Sequence, residues 1–297
     1  MFGSRVLEEI QRLDPLRDHQ RIVFLSTRVD FPFDTTRALE LALFRTFGVP
    51  SISSLLHRTG EFERRAQKRY DDTDIIVSEM MEHGYDSPRG AAALARMNAI
   101  HGRFTIANED FLYVLSTFVF EPIRFNARFG WRPMVAAEKL ALFHFWRAVG
   151  ARMGIRDIPE DFAEFERFSA HYEARRYRFT EANRAVGAAT VTLFAGWFPR
   201  PCAPLVRQAI YALLDAPTRR AFGFPAPNPV IRTLVLGAMR ARAAALRWLP
   251  RRRRPSLRTA MTHPSYPGGY TIGKLGPQLR AGPSGTSASR RSCRRGG

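Results

Sequence analysis

Two short stretches hold side chains whose types and spacing could do chemistry. In KRYDDTDIIVSEMM, Arg69 and Thr73 stand one helical turn apart and share a face, with Asp72 three residues from Arg69 on its margin. A fixed cation beside a hydroxyl, at the edge of the apolar stripe of Ile76 and Met80, can stabilise developing negative charge and donate a hydrogen bond. The second stretch, LARMNAIHGRF, sets His101 in line with Leu94, Met97 and Phe104 at three- and four-residue spacing. An imidazole on an apolar stripe needs a hydrogen-bond partner or a metal, because burying it unpaired is costly. Two readings stay open for each stretch. His101 is a satisfied core histidine or a ligand. Arg69 and Asp72 form an exposed ion pair with Thr73 bonded back to its own helix, or Arg69 and Thr73 edge a hydrophobic cavity.

Several chemistries are excluded by what is missing. A di-iron bundle needs Glu-x-x-His pairs, but Met80, Asn98, Ala141 and Phe168 precede His83, His101, His144 and His171 by three. The sequence contains no HExxH, GxSxG, phosphate-binding loop or post-strand GxGxxG. Among the other histidines, His144 reads as a core or half-buried residue between Phe143 and Phe145. His19 and His57 lie in polar or turn-forming sequence, His83 beside a helix-ending glycine, and His171 and His263 in solvated settings.

The elements that must position these groups are helices. Thr35 or Thr36 caps RALELALFRTF, which ends at Gly48 and Pro50. Glu63 to His83 is one long helical pattern ending at Gly84, and Ser87-Pro88 opens the helix that carries His101. Asn108 starts a helix that should stop before Pro122, and Pro133 opens the next. Further helices follow over 161–177, 180–198, 203–214 and 229–249. Strand-like alternation is confined to RIVFLST near residue 24. The expected fold is all-α, a single multi-helix domain over 1–250. Residues 251–297 form a basic, Gly/Ser/Arg-rich tail expected to be largely disordered, above all from about 276.

Charge is unevenly placed. From Arg240 onward there are 14 basic residues and no acidic one, whereas residues 1–239 hold 32 basic residues against 27 acids. Only Lys68, Lys139 and Lys274 are lysines, a skew that follows GC-rich coding as in many bacteria, so an arginine here is not by itself an anion site. Two distant cysteines, Cys202 and Cys293, give neither a disulfide framework nor a CxxC site and fit a reducing, cytoplasmic setting. The first residues lack the apolar core of a signal peptide, and the longest apolar run, Ala185 to Phe198, is short of a membrane span.

The block RTGEFERRAQKRYDDTDIIVSEMMEHG, followed by LARMNAIHGRF, NEDFLYVLSTFVFEPIRF and GWRPM, resembles the MpaB/rubber oxygenase family, and its MpaB branch more than the latex-clearing one. The likeness is dense from about Phe44 to Pro159 and looser through WFPRP, IYALLD and FGFP to SYPGGY. The resemblance implies an all-helical fold enclosing non-covalent haem b. It makes the histidine of an R-x-x-x-x-H pattern, here Arg96 to His101, the proximal iron ligand, with Asn98 one turn before it. It also implies that Arg69, Asp72 and Thr73 take the places of an upstream R-x-x-K-T motif lining the distal side. Asp72 stands where latex-clearing members have lysine, and an aspartate cannot mimic that neutral amine ligand. On this likeness Asp72 orients Arg69 or relays a proton, and the reaction is oxidation or cleavage of an apolar, isoprenoid-like alkene by O2.

At the basic end, PNPVIRTLVLGAMRARAAALRWLPRRRRP combines apolar and arginine faces. It reads either as a helix packed on the domain with a solvated basic exit, or as one lying on an anionic membrane surface through 229–254. Nucleic acid is disfavoured, because no recognised binding fold supports it. The rivals to an oxygenase are a non-catalytic haem-binding protein and a helical module recruited to a membrane or nucleic acid by its tail.

Overall fold

Local sequence chemistry sets most helix ends in the computed structural model, which describes residues 5–249 and 254–277. Helices α1 (Arg5–Arg12) and α2 (His19–Phe24) lead through a π-helical segment, Leu25–Asp30, into α3 (Pro32–Phe47). RIVFLST is therefore helical, not a strand. Ile22, Val23 and Leu25 are all buried, so packing overrides the β-branched preference of the first two. After α4 (Pro50–Thr59) comes the single turn α5 (Glu61–Arg64). The pattern expected to run unbroken from Glu63 is interrupted at Arg65, whose φ of −140° and ψ of 45° are not helical. The helix bearing Arg69 is thus α6, Ala66–His83.

Helix α7 (Pro88–His101) begins as expected, with Ser87 Oγ accepting from the Gly90 amide at 3.0 Å and Pro88 in the first turn. Helix α8 (Asn108–Phe129) does not stop before Pro122 but runs through it. A proline inside a helix costs about 3 kcal/mol. Here α8 lies along α3 and buries Leu115, Val119, Phe120, Phe125 and Phe129, and that packing outweighs the loss. The remaining helices are α9 (Ala136–Arg152), α10 (Phe162–Arg176), α11 (Glu181–Gly196), α12 (Ala203–Leu213), α13 (Ala216–Phe222) and α14 (Pro229–Leu246). No strand occurs among the described residues, and the fold is all-α. The main core joins α2, α6, α7, α8 and α9, and a second core joins α3, α4, α11 and α13. Among the described residues no single helix is long and apolar enough to cross a membrane.

Residues 254–277 depart from the expected disorder of the tail. They are not loose but form a strap along α6 and α7, while 250–253 and the end from 278, where most of the expected disorder falls, lie outside the described residues. Composition hid this because the strap is held mainly by polar bonds. Glu82 on α6 accepts from the Arg258 amide at 2.7 Å and the Thr259 hydroxyl at 2.6 Å, and Arg258 grips Asp74 through Nε at 2.9 Å. Asp71 accepts from the Ser265 amide at 2.9 Å, and Glu79 from the Tyr270 hydroxyl at 2.6 Å. Arg96 on α7 donates to the Leu275 carbonyl at 2.6 Å, and Leu275 is fully buried. His263, expected in solvent, is buried and bonds the Arg258 carbonyl through Nε2 at 3.0 Å.

Two glycines test the packing from opposite sides. A Cβ on Gly90 would run into the Gly84 carbonyl, whereas one on Gly237 in α14 would meet open space. Gly90→Ala is expected to destabilise the fold by about 1–3 kcal/mol through overpacking. Gly237→Ala is expected to stabilise it by about 0.5–1 kcal/mol through helix propensity. Thermal unfolding of both variants should show melting temperatures that move in opposite directions.

Candidate functional site

His101 is the last residue of α7, and its place there follows from the stripe Leu94, Met97, His101, which turns the ring inward at the end of an apolar face. The side chain is half-buried, and its Nδ1 is buried with no hydrogen-bond partner. The Phe111 ring from α8 meets the imidazole edge-on at 5.4 Å between centroids. Burial, and then the nearby positive charge of Arg69, push the His101 pKa down to about 4. A helix C-terminus favours a cation by only about 0.3–1 kcal/mol. That is too little to offset the other two effects, so the ring is neutral at physiological pH.

Arg69 and Thr73 do share a face of α6. The Thr73 hydroxyl donates to the Arg69 carbonyl at 3.1 Å and accepts from Arg69 Nη1. The guanidinium lies over the Phe62 ring of α5 at 5.4 Å. Burial lowers the Arg69 pKa, with Asp72 and Glu61 partly offsetting it, and among the described residues no carboxylate forms an ion pair with this guanidinium. The exposed Arg69–Asp72 pair weighed from sequence does not form. The back-bonded Thr73 does form, and it is combined with an Arg69 that no carboxylate pairs.

Asp72, expected to orient Arg69, points elsewhere. It is buried and paired with Lys68 at 2.8 Å, and it accepts a short hydrogen bond from the Tyr266 hydroxyl of the strap. Lys68 also donates to Tyr266 at 3.0 Å and to the Gly276 carbonyl at 2.9 Å. The cause is helical register: Lys68 and Asp72 are one turn apart on the side of α6 that meets the strap, and Arg69 and Thr73 stand about 100° further round the helix. Asn98 likewise turns away, donating to the Arg152 carbonyl at 3.0 Å and tying α7 to the end of α9.

Phe111 and Val114 were not singled out from sequence, and Phe118 and Trp146 read there as core. Phe111, Val114 and Phe118 recur at helical spacing on α8 and are half-buried, so the stripe that meets His101 continues as an apolar wall. Trp146 adjoins Phe118 at 4.5 Å, and its Nε1 is also buried without a partner. Behind Phe62 lies an open cleft of about 430 Å³ lined by Ala66, Gln67, Ala189, Leu193 and Trp197; His101 is not part of its lining. The i, i+3, i+7 spacing of the α8 stripe was the available signal, masked because the rest of α8 is equally apolar.

Fold and site define an all-helical domain in which an uncharged, unpartnered histidine from one helix and an arginine without a paired carboxylate from another lie within electrostatic reach. A profile of the family described as "ER-bound oxygenase mpaB/B'/Rubber oxygenase, catalytic domain" matches residues 42–262, and the chain belongs to that family of oxygenase catalytic domains. It is 29% identical over 240 residues to ER-bound oxygenase mpaB' of Penicillium brevicompactum, an alignment covering 75% of this chain and 57% of that protein. It is 32% identical over 216 residues to ER-bound oxygenase mpaB of Penicillium roqueforti, covering 66% and 72% respectively. ER-bound oxygenase mpaB of P. brevicompactum is 32% identical over 193 residues, 59% of this chain and 49% of that one. The chain thus spans about half the length of two of these three relatives. The match reaches His263 but for one residue and so takes in the first part of the strap.

A histidine neutral in the fold but protonated when unfolded ties stability to pH. With a folded pKa of about 4 and an ordinary unfolded value near 6.5, the unfolded chain binds the extra proton between those limits. Stability contributed by His101 is therefore whole above pH 6.5 and falls as pH drops toward 4, by up to about 3 kcal/mol. Urea unfolding at pH 7 and pH 4.5 should show a loss that is visibly smaller in His101→Phe. An equal loss in both proteins would put the proton elsewhere.

Proposed function

We propose that this domain is a haem b-dependent oxygenase acting with O2 on an apolar, isoprenoid-like alkene, with His101 as the proximal iron ligand. The observation that carries the reading is the buried His101 Nδ1 with no partner in a ring kept neutral near physiological pH. Neutral imidazole is the ligating form, so no proton has to leave before iron binds. The missing acceptor at Nδ1 departs from the usual bonded state of a metal-ligating histidine. A haem held here supplies the binding and activation of dioxygen.

The rest is done by the chain's own residues. Arg69 keeps its proton despite burial, since arginine is not deprotonated in proteins, and with no carboxylate paired to it the charge is available to negative charge developing nearby. Thr73 takes a hydrogen bond from Arg69 Nη1 and so fixes the guanidinium; it is a positioning residue. Asp72 positions α6 through Lys68 and Tyr266 and does not meet Arg69. Phe111, Val114 and Phe118 offer an apolar wall for a greasy substrate and help to keep water out.

Protein produced with ample haem should be red-brown with a Soret band. His101→Ala should abolish that band while circular dichroism stays helical. Arg69→Gln should keep the band but slow oxygen consumption on a polyisoprenoid alkene by about 10²–10³-fold. A colourless wild-type protein overturns the proposal, and a Soret band without oxygen consumption on any such alkene leaves a haem carrier instead.

A further inference from the structure

Helix α14 has a solvent face without charge. Its inner side packs Leu236 and Met239 against Ala38, Phe125 and Phe129, buries Ala243, and sets Leu246 on the main core. Arg242 pins it further, bonding Asp34 at 2.9 Å with its guanidinium 3.9 Å from the Phe33 ring centroid. The expected helix packed on the domain is therefore present. On the opposite side Val230, Leu234, Ala238, Ala241, Ala245 and Trp248 follow one another at helical spacing, and all are exposed. Val230 is 66% exposed, Leu234 65% and Trp248 90%. A helix on the surface of a globular domain ordinarily turns charged or polar residues outward. This one turns outward an apolar stripe.

We propose that this stripe docks the domain on an anionic lipid surface. Charge selects that occupant. The last acidic residue of the chain is Asp215, so α14 and everything after it carry no carboxylate. Exposed Arg240 stands beside the stripe, and four consecutive arginines, 251–254, follow it in the sequence. Two copies of the chain meeting stripe to stripe would bring these arginines together with no acid between them. An anionic headgroup layer pairs with them while the acyl region takes the apolar side chains. Trp248 at the end of the helix has the amphipathic ring that settles at a membrane–water boundary. Exposed Phe33 extends the apolar surface beside Arg242. The proposal stands on the surface of α14 alone and does not depend on the haem reading.

Co-sedimentation of the full chain with vesicles tests it. Binding is expected to phosphatidylcholine vesicles containing phosphatidylserine, weak binding to phosphatidylcholine alone, and a decline with added salt. The double variant Leu234→Ser/Trp248→Ser, altered only at exposed positions, should melt like the wild type and bind the anionic vesicles roughly tenfold less well. Absence of binding to anionic vesicles overturns the proposal, as does binding that the double variant leaves unchanged. A dimer by light scattering that the variant converts to monomer also overturns it, making the stripe a protein interface.

Discussion

The structure depends on how α6 is held. This helix presents Arg69 and Thr73 on one side and a row of carboxylates on the other: Asp71, Asp72, Asp74, Glu79 and Glu82. Most of these acids are buried, and a buried carboxylate without partners costs several kcal/mol. Each is met. Glu82 pairs with the fully buried Arg28 at 3.1 Å and with the strap, and Glu79 takes Arg89 through both oxygens. Asp72 is shared between Lys68 and Tyr266, and Asp74 accepts from Arg258. Because the partners come from α2's continuation, α7 and the strap, satisfying the acids also fixes where α6 lies. The rotation that points Asp72 at Tyr266 is the rotation that points Arg69 away from it.

Against that rigid side, the opposite side is left electrically open. Arg69 lacks a carboxylate and His101 lacks a hydrogen bond, although both are at least half removed from water. Two cation-forming groups in one low-dielectric neighbourhood cannot both be charged without penalty, and the imidazole, with much the lower intrinsic proton affinity, gives way. The carboxylates of α6 are thus all met, while Arg69 and His101 are met incompletely. Buried polar atoms left without partners are rare in folded proteins, and the one on His101 lies within reach of the Arg69 charge.

Spacing alone made part of this visible. Arg69 and Thr73 share a face because they are one turn apart, and His101 turns inward because Leu94 and Met97 do. Ser87 and Pro88 start α7 where their chemistry says they should. What spacing could not show is a partner distant in sequence. Asp72 lies three residues from Arg69 and looked like its mate, but Lys68 at i−4 and Tyr266, 194 residues later, compete for it and win. The strap misled for a related reason, since composition reports apolar content, and this segment is held by hydroxyls, amides and one guanidinium against carboxylates. Pro122 and RIVFLST misled because burial along α8 and α2 overrides a local preference. The fold class was legible from periodicity, while the orientation of individual polar side chains was not.

The distance between the two halves of the clamp has a consequence in time. Asp72 is made 194 residues before the tyrosine that caps it. At ordinary rates of synthesis that interval is roughly 10–40 s. Until it ends, Asp71 and Asp74 lack the strap partners that meet them in the fold, and Asp72 has Lys68 without its tyrosine. Contacts so far apart in the chain also close slowly, because the entropy of a long loop must be met before any bond forms. The helix that carries Arg69 therefore reaches its final setting among the last events of folding, with the segment beyond Arg254 acting as the latch.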